Sequence, residues 1–242
     1  MRKLWIIGAG GHGKVVADIA KKTGRYEEIA FLDDGKAAGE TCGSYVIRGR
    51  LSDGLRQIDG SEFFVAVGNA SVRRKITKQL KAAGAKIPVL IHPDAVIAED
   101  CRIGEGTVVM AGTVINSGCQ IGKGVIVNTG ASIDHDNIIG DFSHISVGAH
   151  LAGTVRIGSG VWVGIGAVVS NNLSITDDVM IGAGAAVIRN IEESGTYVGV
   201  PAERIEMMEK HINVNYRGGV VRNNGTVISP LVFSRDNFRE AM

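Results

Sequence analysis

Cysteine is scarce in this chain: Cys42, Cys101 and Cys119 are the only three among 242 residues. An odd number at wide spacing matches neither a disulfide framework nor a zinc-ligand pattern. The three read as buried, reduced thiols of a cytosolic protein. An excess of charge of either sign is also missing. Lysine and arginine number 26 against 25 acidic residues, which leaves no basic field for a nucleic acid. No segment approaches the ~20 uninterrupted apolar residues of a membrane span. The early run Leu4-Trp5-Ile6-Ile7 is too short, and wrongly flanked, for a signal peptide. The expected setting is therefore the cytoplasm, with neither membrane nor nucleic acid as a partner. What is present is 45% apolar residues, enough for a sizeable core in one large domain or two small ones.

Glycine is abundant, at 34 residues, and most of it recurs at regular intervals in the second half. Written in sixes from Ile91 to Val187, the chain has an aliphatic residue at the head of all seventeen hexads, without slip or insertion. The second position is often glycine (Gly104, Gly122, Gly140, Gly158, Gly164, Gly182), and the fifth is usually small or β-branched, as in Ala95, Thr107 and Val125. A helix cannot hold a period of six, because its apolar stripe would rotate off one face. A short strand, a tight turn and another short strand can. Six residues then make one flat face of a prism, three faces close a coil, and each aliphatic head stacks on the residue eighteen positions on. This is the hexapeptide repeat of a left-handed parallel β-helix, with between five and six coils.

The first ninety residues alternate strand and helix. Lys3 to Ile7, Glu28 to Leu32 and Phe63 to Val67 read as buried strands, and residues 86–90 as a strand entering the prism. That order implies a small parallel sheet, the Rossmann-like half of a dinucleotide fold. Gly8, Gly10 and Gly13 satisfy G-x-G-x-x-G between a strand and a helix, where backbone N–H groups cradle a diphosphate. Asp33 follows where an acidic side chain meets a ribose or base. With only half a dinucleotide fold, a mononucleotide or sugar nucleotide suits the motif better than NAD; a merely tight strand-to-helix turn stays open.

Among six histidines, His92 reads as a local packing or capping residue, His150 as a surface residue, and His211 has no assigned role. His135 lies beside a prism corner between Asp134 and Asp136. A neighbouring carboxylate orients an imidazole and raises its basicity, as a general base near neutral pH requires. His144 follows nine residues later. His144 and His150 stand at equivalent positions on successive faces, so they do not converge on one metal ion within a chain.

Several stretches resemble a known family. They are Ile6-Ile7-Gly8-Ala9-Gly10-Gly11-His12-Gly13, Phe31-Leu32-Asp33-Asp34, Ala66-Val67-Gly68-Asn69, Asn128 to Asp136, Phe142 to Gly148, and Val198-Gly199-Val200-Pro201-Ala202. Over about residues 3–205 the chain is similar to bacterial sugar-nucleotide acetyltransferases of the PglD/NeuD type, which act for glycan biosynthesis. The resemblance implies an acetyl-CoA-dependent N-acetyltransferase acting on the 4-amino group of a UDP- or GDP-linked amino-deoxy sugar, with no metal required. It implies a homotrimer with active sites between neighbouring prisms. By resemblance His135 is the general base and Asp136 its acidic neighbour, where some relatives carry glutamate. His144 would touch the acetyl-CoA thioester, Gly153 would offer an N–H to its oxygen, and Ile165 and Ala183 would line the pantetheine groove. Gly10, Gly11, His12, Asp33, Asp34 and Gly68 match the positions that hold the nucleotide sugar.

The expected organisation is a nucleotide-sugar-binding domain over 1–90, a β-helix over 91–205, and an extension over 206–242 with no assigned role. The extension is a departure from the family, whose chains usually stop soon after the position of Pro201. Residues 203–211 read as helical, and Val220 to Phe233 as a hairpin or a segment that swaps onto a neighbour. Other functions remain open: an O-acetyltransferase on a sialic-acid-like sugar or small alcohol, a non-catalytic nucleotide-binding scaffold, and a zinc enzyme.

Overall fold

The computed structural model describes residues 2–205; the hairpin expected over 220–233 lies outside them. Strand β1 (Lys3–Ile7) runs into helix α1 (Gly11–Lys22), β2 (Glu28–Leu32), β3 (Thr41–Cys42), β4 (Tyr45–Gly49), the short helix α2 (Leu51–Gly54), β5 (Ser61–Val65) and α3 (Ala70–Ala82). The sheet order is β3-β4-β2-β1-β5. Strands β2 and β5 flank β1 in parallel register, β4 lies parallel to β2, and β3 is antiparallel to β4. Leu4, Trp5, Ile6 and Ile7 are all buried, because both faces of a parallel sheet are covered. On one side, Leu4 and Ile6 pack with Val16 and Ile19 of α1 and with Leu90, Val108 and Ile126 of the prism. On the other, Trp5 and Ile7 pack with Leu51 of α2 and Leu80 of α3.

Sequence reading missed β3, β4 and α2, which are short and lack clear periodicity, and the third expected strand ends at Val65 rather than Val67. Of residues 86–90, Lys86 makes only an isolated bridge to Glu62, and Leu90–Ile91 is the first rung of the prism.

From there two-residue strands wind through three faces. One face stacks Val96–Ile97, Val114–Ile115, Ser132–Ile133, His150–Leu151, Val168–Val169 and Ala186–Val187. A five-stranded face holds Gln120–Ile121 and Ile138–Ile139, among others, and an eight-stranded face holds Ile126–Val127, His144–Ile145 and Trp162–Val163. Pairs such as Ile115↔Ile133 and Ile133↔Leu151 confirm the eighteen-residue coil. The aliphatic heads from Val109 to Val187 form one buried core. Ile91 is 36% exposed, and Ile97 and Ile103 only partly buried, because no coil lies beneath the first one. One column of corner residues, Gly118, Asp136, Thr154 and Asn172, is left-handed throughout, with φ of 76°, 58°, 60° and 60°.

The last rung is closed by Gly195–Val198, onto which Glu203–Ile205 folds back antiparallel. The helix expected from 203 is thus corrected at its start. Pairing satisfies the N–H and C=O groups that an open sheet edge would expose, and this tertiary gain overrides local preference. Sheet and prism belong to one compact unit, residues 1–205.

Candidate active site

His135 and Asp136 occupy the corner between the six-stranded and five-stranded faces. The His135 Nδ1–H donates to Asp136 Oδ2 at 2.8 Å, which leaves the Nε2 lone pair outward. Asp136 tolerates its positive φ as aspartate does more readily than most residues. His135 N–H donates to Asp134 Oδ1, itself held by Asn116 Nδ2, both at 2.9 Å. The Asp136 hydrogen bond raises the His135 imidazole above its ordinary value, with Asp134 and Asp136 charges adding to it.

Both neighbouring coils make room for this pair. A Cβ on Gly153, one coil on, would lie 2.5 Å from His135 Nε2 and 2.6 Å from Cε1. A Cβ on Gly118, one coil back, would lie 2.4 Å from Asp136 Oδ1. The imidazole therefore rests on Gly153 and the carboxylate on Gly118. Among the described residues the Gly153 N–H has no hydrogen-bond acceptor.

His144 lies elsewhere, on the eight-stranded face, above the row Leu90, Val108 and Ile126 that the sheet covers. It is 9% exposed, and its ring centroid is 4.5 Å from that of Trp162. Asn128 Oδ1 accepts from Thr129 N–H at 2.8 Å, which orients the amide so that Nδ2 donates to His144 Nε2 at 3.1 Å. The proton of the neutral ring is then on Nδ1, which is buried without a partner among the described residues. Burial first, then the charges of Arg73 and His12, push His144 down to about 3. His12, at the start of α1, likewise has a buried, unpartnered Nε2; burial and then Arg73 push it down to about 4. Ile165 and Ala183 are exposed at the adjoining corner, joined by a Gly184 N–H to Ile165 O bond.

In the glycine loop the roles divide. A Cβ on Gly13 would lie 2.1 Å from Gly8 O, so this glycine serves the close packing of α1 on β1. Gly10, Gly11 and Gly68 have open space where a Cβ would stand. Asp33 is turned inward: Oδ2 accepts from Ala9 N–H at 2.7 Å and Oδ1 from Gly35 N–H at 2.9 Å. Asp34 caps α2 through Oδ1 and Leu51 N–H at 3.0 Å and is otherwise exposed.

The structure thus brings His135, Asp136 and Gly153 together at one corner, and His12 with His144 at the sheet–prism junction. It leaves those two groups on different edges of the prism. Sequence reading missed Gly118, Asn128 and Arg73. Arg73, Thr77 and Leu80 form the buried stripe of α3 at helical spacing, so a charge on an apolar stripe was the available signal. His92 is buried, its Nδ1 accepting from Asp94 N–H at 3.0 Å. His150 is exposed and bonded to Ser132 Oγ at 2.8 Å. Among the described residues no three His, Cys, Asp or Glu side chains cluster as metal ligands, and no helix is long and apolar enough to cross a membrane.

A small parallel sheet docked on a hexapeptide-repeat prism, with a carboxylate-bound histidine at a corner, defines a left-handed β-helix acyltransferase. Residues 3–80 match the PglD N-terminal domain, and residues 88–117 the bacterial transferase hexapeptide (six repeats). The acetyltransferase domain of PglB from Neisseria gonorrhoeae, solved with acetyl coenzyme A, is 44% identical, with a TM-score of 0.81 over 84% of this chain and 99% of that one. PerB from Caulobacter crescentus, solved with CoA and GDP-perosamine, is 35% identical, with a TM-score of 0.79 over 84% of this chain and 97% of that one. The UDP-N-acetylbacillosamine N-acetyltransferase of Bacillus subtilis is 38% identical over 114 residues, 46% of this chain and 52% of that protein, so the match spans about half the length of this curated relative. The chain belongs to the PglD-type family of sugar-nucleotide acetyltransferases.

Proposed function

We propose that this chain transfers the acetyl group of acetyl-CoA to the 4-amino group of a nucleotide-linked amino-deoxy sugar. The observation that carries the reading is His135, with Nδ1 engaged by Asp136 and Nε2 free above Gly153. After the sugar ammonium has lost one proton to solvent, Nε2 takes a second from the amine as it attacks. The nitrogen lone pair forms the amide bond to the carbonyl carbon, and the oxyanion that develops receives the Gly153 N–H. Collapse breaks the carbon–sulfur bond, and CoA leaves as the thiol with a proton returned from His135. The thioester is already an activated acyl donor, so the protein's task is alignment and proton transfer.

His144, kept neutral by burial, is read as the residue nearest the thioester, its Nδ1–H left without a partner among the described residues. Ile165 and Ala183 offer an open corner for pantetheine, and Gly10, Gly11, His12, Asp34 and Gly68 an open loop for the nucleotide sugar. Asp33 acts there by holding Ala9 in place. Because His135 and His144 occupy different edges of one prism, the complete site is read as one between subunits of a homotrimer. The setting is read as the cytoplasm.

The test is thiol release from acetyl-CoA with UDP- and GDP-linked 4-amino-6-deoxy sugars, comparing wild type with His135→Ala. Turnover on one such sugar, lost by about a hundredfold or more in the variant, is the expected result. No turnover on any amino sugar defeats the N-acetyl reading; turnover on hydroxyl acceptors would then make it an O-acetyltransferase.

A further inference from the structure

Arg73 is 1% exposed, among the largest fully buried side chains of the protein. Among the described residues no carboxylate pairs with it. Four main-chain carbonyls take its N–H groups instead. Nη1 donates to Val67 O at 2.8 Å and Gly68 O at 2.6 Å, Nε to Gly124 O at 2.8 Å, and Nη2 to Phe142 O at 2.6 Å. Burying a cation without an anion is costly, and an apolar side chain would fill the same space without that cost. What only a guanidinium supplies is a rigid planar fork of donors that fixes several acceptors in direction at once.

Those acceptors join the two substrate regions. Val67 and Gly68 belong to the loop between β5 and α3, opposite the glycine loop, where the nucleotide sugar is placed. Gly124 and Phe142 stand at the third corner of the prism, and Phe142 lies two residues before His144. Phe142 has a φ of 60°, unusual for a bulky residue. Its ring covers Gly124, whose Cβ would lie 2.6 Å from Phe142 Cδ1, and Arg74 stands 5.3 Å from the ring centroid on the other element. The neighbouring arginine of α3 thus holds the side chain of the residue whose carbonyl Arg73 holds.

We propose that Arg73 is a positioning residue for acetyl transfer: by bonding the Val67–Gly68 loop and the Phe142 carbonyl together, it sets the alignment of the sugar-nucleotide loop with His144. The inference rests on the function proposed above and adds a residue that touches neither substrate. A displacement of about 1 Å between reacting groups costs on the order of a hundredfold in rate, and no lysine or methionine can keep all four bonds.

The experiment compares wild type, Arg73→Lys, Arg73→Met and Leu80→Ala, the last a buried residue on the same stripe of α3 that takes no part in the link. Steady-state kinetics with both substrates saturating, calorimetric binding of CoA, and thermal melting are measured for each. The expected result is a kcat lower by about thirty- to a hundredfold in both Arg73 variants, with CoA affinity within about threefold of wild type. Leu80→Ala should melt earlier yet keep kcat within about twofold. If either folded Arg73 variant keeps kcat within about threefold, or if Leu80→Ala loses kcat as the Arg73 variants do, the proposal is overturned. Should Arg73→Met not fold, Arg73→Lys decides alone. An inactive wild type refutes the proposed function instead, and the positioning role with it.

Discussion

Gly153→Ala isolates the geometry of the proposed base. Gly153 is not in the left-handed region, so its backbone accepts alanine, and the new methyl meets the His135 ring first, at 2.5 Å from Nε2 and 2.6 Å from Cε1. Unbonded carbon and nitrogen atoms settle near about 3.5 Å, so the imidazole must retreat by roughly 1 Å. The exposed ring can pivot at little cost to the fold, but pivoting weakens the 2.8 Å bond to Asp136 and moves Nε2 off the Gly153 N–H. A misplacement of that size is worth about a hundredfold in kcat, or ~2.7 kcal/mol of barrier. Melting should change little, since replacing glycine by alanine stiffens the unfolded chain. The assay is thiol release under saturating substrates for Gly153→Ala, His135→Ala and the double variant. If both act through one group, the double variant is no slower than His135→Ala. A Gly153→Ala enzyme within about threefold of wild type, or losses that add in the double variant, would refute the reasoning.

Asp136→Asn keeps a residue that tolerates positive φ but removes the charge that favours the imidazolium. The raised His135 value should fall, so the acid limb of kcat/KM moves to lower pH while the rate on the plateau drops; an unmoved limb in a pH–rate profile would count against the pairing. Gly13→Ala places a methyl 2.1 Å from Gly8 O and should prevent or strongly impair folding, whereas Gly11→Ala, with open space, should melt like wild type and lose affinity for the nucleotide sugar. Melting curves and calorimetry separate the two, and equal stability losses would contradict the division of the loop. In the prism, Ile145→Ala should cost about 2–5 kcal/mol in urea unfolding, as full burial predicts. Ile91→Ala, at the half-open first coil, should cost less than about half as much.

The sequence by itself determined the prism and pointed to one corner of the proposed site. A hexad head faces inward because the period of the chain matches the period of the coil, and the match is local enough to survive without any partner. The His135–Asp136 pair is legible for the same reason, since adjacent residues at one turn can bond without help from elsewhere, whereas Gly153 came from the family resemblance and the eighteen-residue coil only places it beside His135. Gly118 stands at the same spacing on the other side and could have been found in the same way. Only tertiary structure decided the junction of sheet and prism. Arg73, Gly124 and Phe142 are 51 and 69 positions apart and carry no shared pattern. The inward turn of Asp33 and the strand at Glu203–Ile205 depend likewise on a backbone N–H or a sheet edge supplied by another segment. Burial of His12 and His144, which pushes both well below the ordinary histidine value, arises when the sheet and α1 dock on the eight-stranded face. Desolvation is a property of that docking, and no residue carries it in the chain alone.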